Sequence, residues 1–537
     1  MIHRLVPVAF VAFVGVIVYA ADSTRVTPEF HTSDRCVACH NGLITASGDD
    51  VSIGFDWRAS LMANSSRDPY WQASVRRETM DHAVASAAIE DECAVCHMPI
   101  PRYEAKLRGE LGRVFAHLPF AADEEEGRQA ADGVSCAVCH QISTERLGTR
   151  ESFNGGFVVQ PPAEAGVRPE YGPFEVEPGH RRIMFSSTDG YRPTQSSHIR
   201  DSELCATCHT LLTQTLGPDG KTIGSLPEQV PYPEWLHSDF RSTQSCQSCH
   251  MPEVTEPAPI TRVFGTMRDG MHRHSFVAAN FFMQRMLNRY RDALDVEALP
   301  NELAHAADST IEFLQSRAAT VRVSSLTVAD DRLRAEIAVN NLGGHKLPTA
   351  YPSRRAWLHL VVRDGNGRVV FESGALNRDG SIVGNDNDAD AVKFEPHYAE
   401  ITSADQVQIY ESILGDARGA VTTGLLTATG YLKDNRLLPT GFDKRTADPE
   451  IAVHGDAAHD ADFRDGGDLV RYSIPLGGAS GPVTVDAELL YQPIGFRWAD
   501  NLKRYEAVEP RRFTSYYDSM STASATTLAR AHASSRP

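Results

Sequence analysis

All ten cysteines of the chain fall into five copies of one pentapeptide. The copies are Cys36-Val-Ala-Cys39-His40, Cys93-Ala-Val-Cys96-His97, Cys136-Ala-Val-Cys139-His140, Cys205-Ala-Thr-Cys208-His209 and Cys246-Gln-Ser-Cys249-His250. C-x-x-C-H is the attachment pattern of c-type haem. Two thiols three positions apart add to both vinyl groups of one porphyrin, and the next imidazole then lies beneath the iron. Paired cysteines also serve zinc and thiol redox chemistry, but neither needs His after the second Cys in every copy. A disulfide framework would not repeat one spacing five times. The spacing predicts five covalent haems, with His40, His97, His140, His209 and His250 as proximal ligands.

Each iron then needs a sixth ligand. Of 21 histidines, 5 belong to the motifs, so 21 − 5 = 16 remain for five positions, and most of these must be ordinary side chains. His198 lies seven residues before Cys205, and His274 precedes an apolar stripe from which it can reach back over an earlier haem. His237, in Glu234-Trp-Leu-His-Ser, and His345, in a connection between two strands, are further candidates. His31, His82 and His397 raise the same question with less support. Each reads equally as a core or solvated imidazole.

The elements that position these groups divide the chain in two. From 21 to 318 the motifs recur among short helices and long irregular loops, which predicts a haem-packed, mostly helical module. Asp68-Pro69-Tyr70 reads as an N-cap with Pro at the first helical position, opening a helix toward Ile89. Phe281, Phe282, Met286 and Leu287 form one helical apolar stripe, and Leu303, Ala307, Ile311 and Leu314 another. Residues 160–180, rich in Pro, Gly and Glu, read as a surface loop. From 319 to 495 about eight short β-like runs, one hairpin of them closed by Asp364-Gly-Asn-Gly, predict an antiparallel β-sandwich without cysteine. Residues 496–537 read as a helix followed by a frayed tail. The fold class expected is therefore α+β and multidomain.

The first 20 residues read as an export signal: Met1–Arg4 is positive, Leu5–Tyr19 is apolar, and Val18-Tyr19-Ala20 is a small-residue cleavage site. An uncleaved membrane anchor is the alternative. Haem attachment to C-x-x-C-H follows export in bacteria, so signal and motifs point together to the periplasm or the extracellular space.

Around the first motif the residues resemble a known group. Trp57-Arg-Ala-Ser-Leu-Met62-Ala resembles the W-x-x-S-x-H-A element of multihaem cytochromes related to the tetrahaem partners of hydroxylamine oxidoreductase. Asp132-Gly-Val-Ser-Cys136 and Glu203-Leu-Cys205-Ala-Thr-Cys208-His209-Thr resemble that group's haem elements, over roughly residues 30–280. In that group the His of the first element is a distal ligand. Met62 stands in its place here, so the resemblance implies either His/Met coordination or a vacant position, and a His/Met first haem would have a raised potential. Gly344-His345-Lys-Leu-Pro-Thr349 and Tyr431-Leu-Lys-Asp-Asn435 resemble the β-rich extension of some multihaem cytochromes. If His345 binds iron, the β half is a clamp that completes a redox centre; the competing reading is that His345 caps a turn.

The charge balance, 52 − 70 = −18, and the lack of a Lys/Arg-rich run exclude nucleic acid as a partner. The expected partners are other redox proteins or membrane quinol and cytochrome complexes. Asn385-Asp-Asn-Asp-Ala-Asp390 offers oxygen ligands for calcium without the loop pattern that makes such a site specific, and a solvated acidic loop is the competing reading. Five haems on about 300 residues are too close to be isolated, which predicts an electron carrier. The alternative is a multihaem oxidoreductase with one open-site haem acting on a small nitrogen or sulfur compound. No C-x-x-C-K motif is present to mark a catalytic haem.

Overall fold

The computed structural model describes residues 30–161, 166–479 and 481–535. The segment read as an export signal, and with it the anchor alternative, lies outside the described residues. Among them, no helix is long and apolar enough to cross a membrane.

The fold is α+β. In the first half, Asp68 caps the helix Pro69–Asp81, its carboxylate accepting from the N–H groups of Tyr70 at 2.8 Å and Trp71 at 3.1 Å. Burial pushes this carboxyl up to about 6. The helix does not run unbroken to Ile89 as the sequence suggests. It stops at His82, and Ser86–His97 restarts after a single 3₁₀ turn, ending in the second motif. Helices Phe281–Arg289 and Pro300–Arg317 carry the two apolar stripes into the core.

Residues 160–180 are not wholly a surface loop. Arg168–Gly172 is a strand paired in parallel with Tyr191–Gln195, with Arg168 and Glu170 buried, and Pro178–Ser187 is a helix. Alternating ionic residues gave this strand no apolar signature.

In the second half, Arg355–Arg363 is the central partner of Val369–Ser373, Ile409–Tyr410 and Thr484–Gln492. A second sheet places Arg332–Asn341 between Ala319–Ala329 and Gly467–Pro475. It is not wholly antiparallel, since Glu400–Ile401 joins Gly467–Pro475 in parallel. Ser412–Asp416 pairs with Val421–Thr422 and Ala428–Asp434. The inward residues of the two larger sheets, among them Ile337, Leu360, Tyr472 and Leu489, share one hydrophobic core. That core continues across residue 318 into Phe281, Phe282, Leu287 and Leu303.

The tail is a correction. Thr526–Ser534 is a strand, antiparallel to Thr484–Gln492, and Leu528 is buried. Its Thr, Ala and Ser side chains give little hydrophobic contrast, but an edge strand needs only one apolar face and a paired backbone.

Candidate functional site

Each motif lies on a helical turn, which brings residues i and i+3 to one side, so both thiols of a pair face the same way. All ten thiols are half-buried and none forms a disulfide. The residues between the cysteines are buried in the second, third and fourth motifs, whereas Ala38 and Ser248 are exposed in the first and fifth. The middle three motifs are interior and the outer two peripheral.

The imidazoles are oriented for a ligand on Nε2. Nδ1 of His97 is hydrogen-bonded to the Ser65 carbonyl at 3.0 Å, that of His140 to Tyr171 at 2.6 Å and that of His250 to Val277 at 2.6 Å. His40 makes the same bond to Ile260. A carbonyl on Nδ1 fixes the tautomer with the Nε2 lone pair free, the arrangement typical of a metal-binding histidine. Burial holds His97 and His250 down at about 4, so both rings are neutral near pH 7. Trp71 stacks on the His97 ring at 4.4 Å and further limits its rotation.

The motifs form one contiguous set. The Cys36 thiol neighbours that of Cys136, the Cys96 thiol that of Cys208, and the Cys205 thiol that of Cys246. Cys139 lies within electrostatic range of Cys208, and His97 and His250 each lie within range of His209. In space the first motif adjoins the third, the third adjoins the fourth, and the fourth adjoins both the second and the fifth.

Two imidazoles stand opposite motif histidines. His274 faces His140 with ring centroids 6.4 Å apart and planes 17° from parallel, and His345 faces His250 at 6.2 Å and 8°. With metal–imidazole bonds of about 2.0–2.1 Å and about 1.1 Å from ring nitrogen to centroid, two rings trans on one metal ion are separated by roughly 6.3 Å. Nδ1 of His274 is bonded to the His272 carbonyl at 3.1 Å and that of His345 to Lys346 at 2.9 Å, again leaving Nε2 free. Thiol pairs and paired imidazoles with Nε2 free are thus a donor set that fits haem c.

The His345 loop is held by buried charges. Glu234, in the helix Pro231–Leu236 of the first half, accepts from the Lys346 N–H at 3.1 Å and the Thr349 hydroxyl at 2.6 Å. Its other oxygen pairs with Arg436 at 3.1 Å. Arg436 and Lys346 both pair with Asp434 at 2.7 Å, and these cations hold its carboxyl well below the usual range against the cost of burial. Two cations and two anions make the cluster neutral, the condition for burying it. Gly344 permits the close approach: a Cβ there would lie 3.0 Å from Phe240 and 3.3 Å from Trp235.

Other sequence candidates are placed differently. His198 has both ring nitrogens engaged, Nδ1 with Ser196 at 2.6 Å and Nε2 with the Ile142 carbonyl at 2.8 Å. His237 bonds the Pro233 carbonyl at 3.2 Å and lies 3.8 Å from Asp448. His82 bonds Thr427 at 3.3 Å. The Met62 carbonyl accepts from the N–H of Val134, two residues before Cys136, and nearby Ser65 holds His97. Its element therefore reaches both the second and third motifs. His31 is buried with Nε2 unpartnered, beside Ser135 of the third motif. His272 escaped sequence analysis; its Nδ1 is bonded to the Met251 carbonyl at 2.6 Å, a contact that no spacing signals.

Two cation readings are corrected. In the run 385–390, Asn385 caps the N–H of Asn387 at 3.0 Å and buried Asp388 pairs with Arg355 at 2.8 Å, so these groups are neither solvated nor free for calcium. His397 lies near Asp460 and Asp468 inside the second half. Its Nδ1 accepts from Gln408 at 2.8 Å and Asn435 at 3.1 Å. Both amides are fixed in that sense, since their oxygens accept from the N–H groups of Tyr398 and Glu411. The proton of the neutral ring is therefore on Nε2, pointing at Asp460, so the ring is neither a metal ligand nor a haem ligand.

No protein-family model matches the chain, and no curated protein matches it. A solved structure does: the penta-heme cytochrome c552 from Thermochromatium tepidum, with a TM-score of 0.53 and 16% identity over 94% of this chain and 99% of that chain. At that identity the likeness is one of fold, and it extends over both halves of the molecule.

Proposed function

We propose that this protein is an exported pentahaem c-type cytochrome that carries electrons between redox partners. The observation that carries the reading is the contiguity of the five motifs, joined through neighbouring thiols, with oriented imidazoles beneath them and parallel imidazoles opposite two of them. Haem c bound at these thiols supplies a one-electron iron couple whose potential follows ligand identity and burial over roughly 0.8 V. The chain holds the imidazoles of His40, His97, His140 and His250 fixed in rotation through their Nδ1 bonds, buries the residues between the cysteines of the three inner motifs, and would offer His274 and His345 as further ligands at the third and fifth centres. His31 is the further candidate, on the strength of its unpartnered Nε2. The second half acts as a clamp through the His345 loop. The penta-heme neighbour supports the count of five, and the apolar N-terminus supports export to the periplasm or beyond.

Redox titration of the purified protein tests the reading. Five one-electron steps that a single external donor can fill support it, and fewer than five reducible irons count against it.

The enzymatic alternative rests on a separate observation. Among the described residues, parallel imidazole pairs of this separation occur only at His140 and His250, while the second motif has buried Glu228 within electrostatic range of Cys93 and Cys96. A small-molecule site on the second centre would show as cyanide binding by the oxidised protein at one haem.

A further inference from the structure

The first motif is peripheral, and the surface beside it differs from the rest of an acidic protein. The Arg262 N–H donates to the Cys39 carbonyl at 2.8 Å and the Ile260 carbonyl accepts from His40, so the 258–268 hairpin is bonded directly to the first haem-attachment turn. This hairpin presents Phe264, 80% exposed, at a backbone φ of 52° that a bulky residue rarely adopts. The turn behind it demands glycine, since a Cβ on Gly265 would lie 1.9 Å from the Thr261 carbonyl. Helix Pro178–Ser187 packs alongside, with His180 bonded to the Phe264 carbonyl at 3.1 Å, and adds exposed Ile183 and Phe185.

Five arginines surround these apolar groups. Arg181, Arg182, Arg200 and Arg262 are exposed and Arg268 is half-buried. Arg200 and Arg268 both lie over the Phe174 ring, at 5.6 and 5.2 Å. Among the described residues none of the five has a carboxylate within ion-pair distance, although the chain carries 18 more acids than bases. The exposed acids nearby, Glu175, Glu177, Asp189, Asp201 and Asp269, match these arginines in number, so the face is balanced in charge where the chain as a whole is acidic. Cations left without carboxylate partners around exposed aromatic groups, in a protein rich in carboxylates, are complementary to an acidic partner and not to the same face of a second copy.

We propose that this face, formed by Phe264, Met267, Ile183, Arg181, Arg182 and Arg262, docks an acidic one-electron redox protein and makes the first centre the port of the electron path. The proposal rests on the electron-carrier reading and adds the class of partner and the point of entry. In the reducing direction, a flavin hydroquinone on the partner gives up one electron and becomes a semiquinone, while one ferric iron becomes ferrous.

Stopped-flow reduction of the intact holoprotein by reduced flavodoxin, an acidic donor, tests this against photoreduced riboflavin, an uncharged small donor. The wild-type rate with flavodoxin falls as salt is raised, in spite of the like net charges. The Arg181→Glu/Arg182→Glu/Arg262→Glu variant reacts about tenfold more slowly at low salt, while its rate with riboflavin is unchanged. Equal flavodoxin rates for the two proteins, or rates that rise with salt in both, overturn the docking face and leave the carrier reading standing. Failure of both donors to reduce any centre overturns the carrier reading itself.

Discussion

His345 and His250 face each other with ring centroids 6.2 Å apart and planes 8° from parallel, although 95 residues separate them (345 − 250) and they belong to opposite halves of the chain. Neither ring has a local reason to be there. His250 is set by its helical turn and the Val277 carbonyl, and His345 by a loop that leaves the strand Arg332–Asn341 and is bound at its base by Glu234. Two independently fixed imidazoles at metal-sandwiching distance leave room for one metal ion between them.

With His345 as the proposed sixth ligand, its replacement by Ala empties that position at one centre. Electron paramagnetic resonance of the oxidised protein then loses the low-spin signal of one haem in five and gains a high-spin signal, while the visible spectrum still accounts for five haems. An unchanged low-spin count would exclude His345 as a ligand.

Glu234 acts through that loop without touching the cofactor. Glu234→Ala strands Arg436 without its second carboxylate and frees the N–H of Lys346. The expected cost is about 3–5 kcal/mol of stability, with a partial high-spin signal at the same centre. Glu234→Gln keeps the acceptor oxygen for Thr349 and retains more of the low-spin signal. Thermal denaturation and resonance spectra on the two variants separate positioning from general destabilisation.

Burial pushes the Glu228 carboxyl up to about 7, against hydrogen bonds from Thr213 and Gln229 that lower it. An electron arriving at the second or fourth centre adds negative charge nearby and raises this pKa further, so the carboxylate takes up a proton. The potential therefore falls as pH rises through neutrality, by at most about 59 mV per unit for one proton per electron. Glu228→Gln abolishes the slope in that window. Spectroelectrochemistry between pH 6 and 8 reads the difference, and a slope that survives the substitution assigns the proton to another group.

Folded-state stability has its own pH signature at Asp468. Burial raises this carboxyl to about 7 while Tyr410 donates to it at 2.8 Å. A raised carboxyl pKa means that the folded state binds the proton more tightly than the unfolded one. The contribution is thus fully present below about pH 4 and is lost as pH rises through 7. Asp468→Asn removes this dependence, by on the order of 1–4 kcal/mol between pH 4 and 8. Denaturant unfolding across that range checks it.

The C-terminal strand is expected to matter for folding. Leu528→Ala costs about 2–4 kcal/mol through the cavity it leaves between the sheets. A change within experimental error, measured by denaturant unfolding, would show that the strand pairs without supporting the core.

What the sequence makes legible follows from how local the physics is. The five haem motifs, the Asp68 cap and most strands of the second half are written in a few adjacent residues. The adjacency of the first motif to the third, and of the fourth to both the second and the fifth, depends on contacts between segments up to about a hundred residues apart, which no periodicity encodes. Within 160–180 the strand Arg168–Gly172 is hidden because it alternates ionic residues that are buried by pairing, and in the tail small polar side chains hide an edge strand.

The central claim is that ten thiols tether five haems. Intact mass spectrometry of the denatured, mature holoprotein tests it most directly. The account predicts one species whose mass equals that of the polypeptide plus five haems, and a species carrying none, or a stable population with fewer than five, would contradict it.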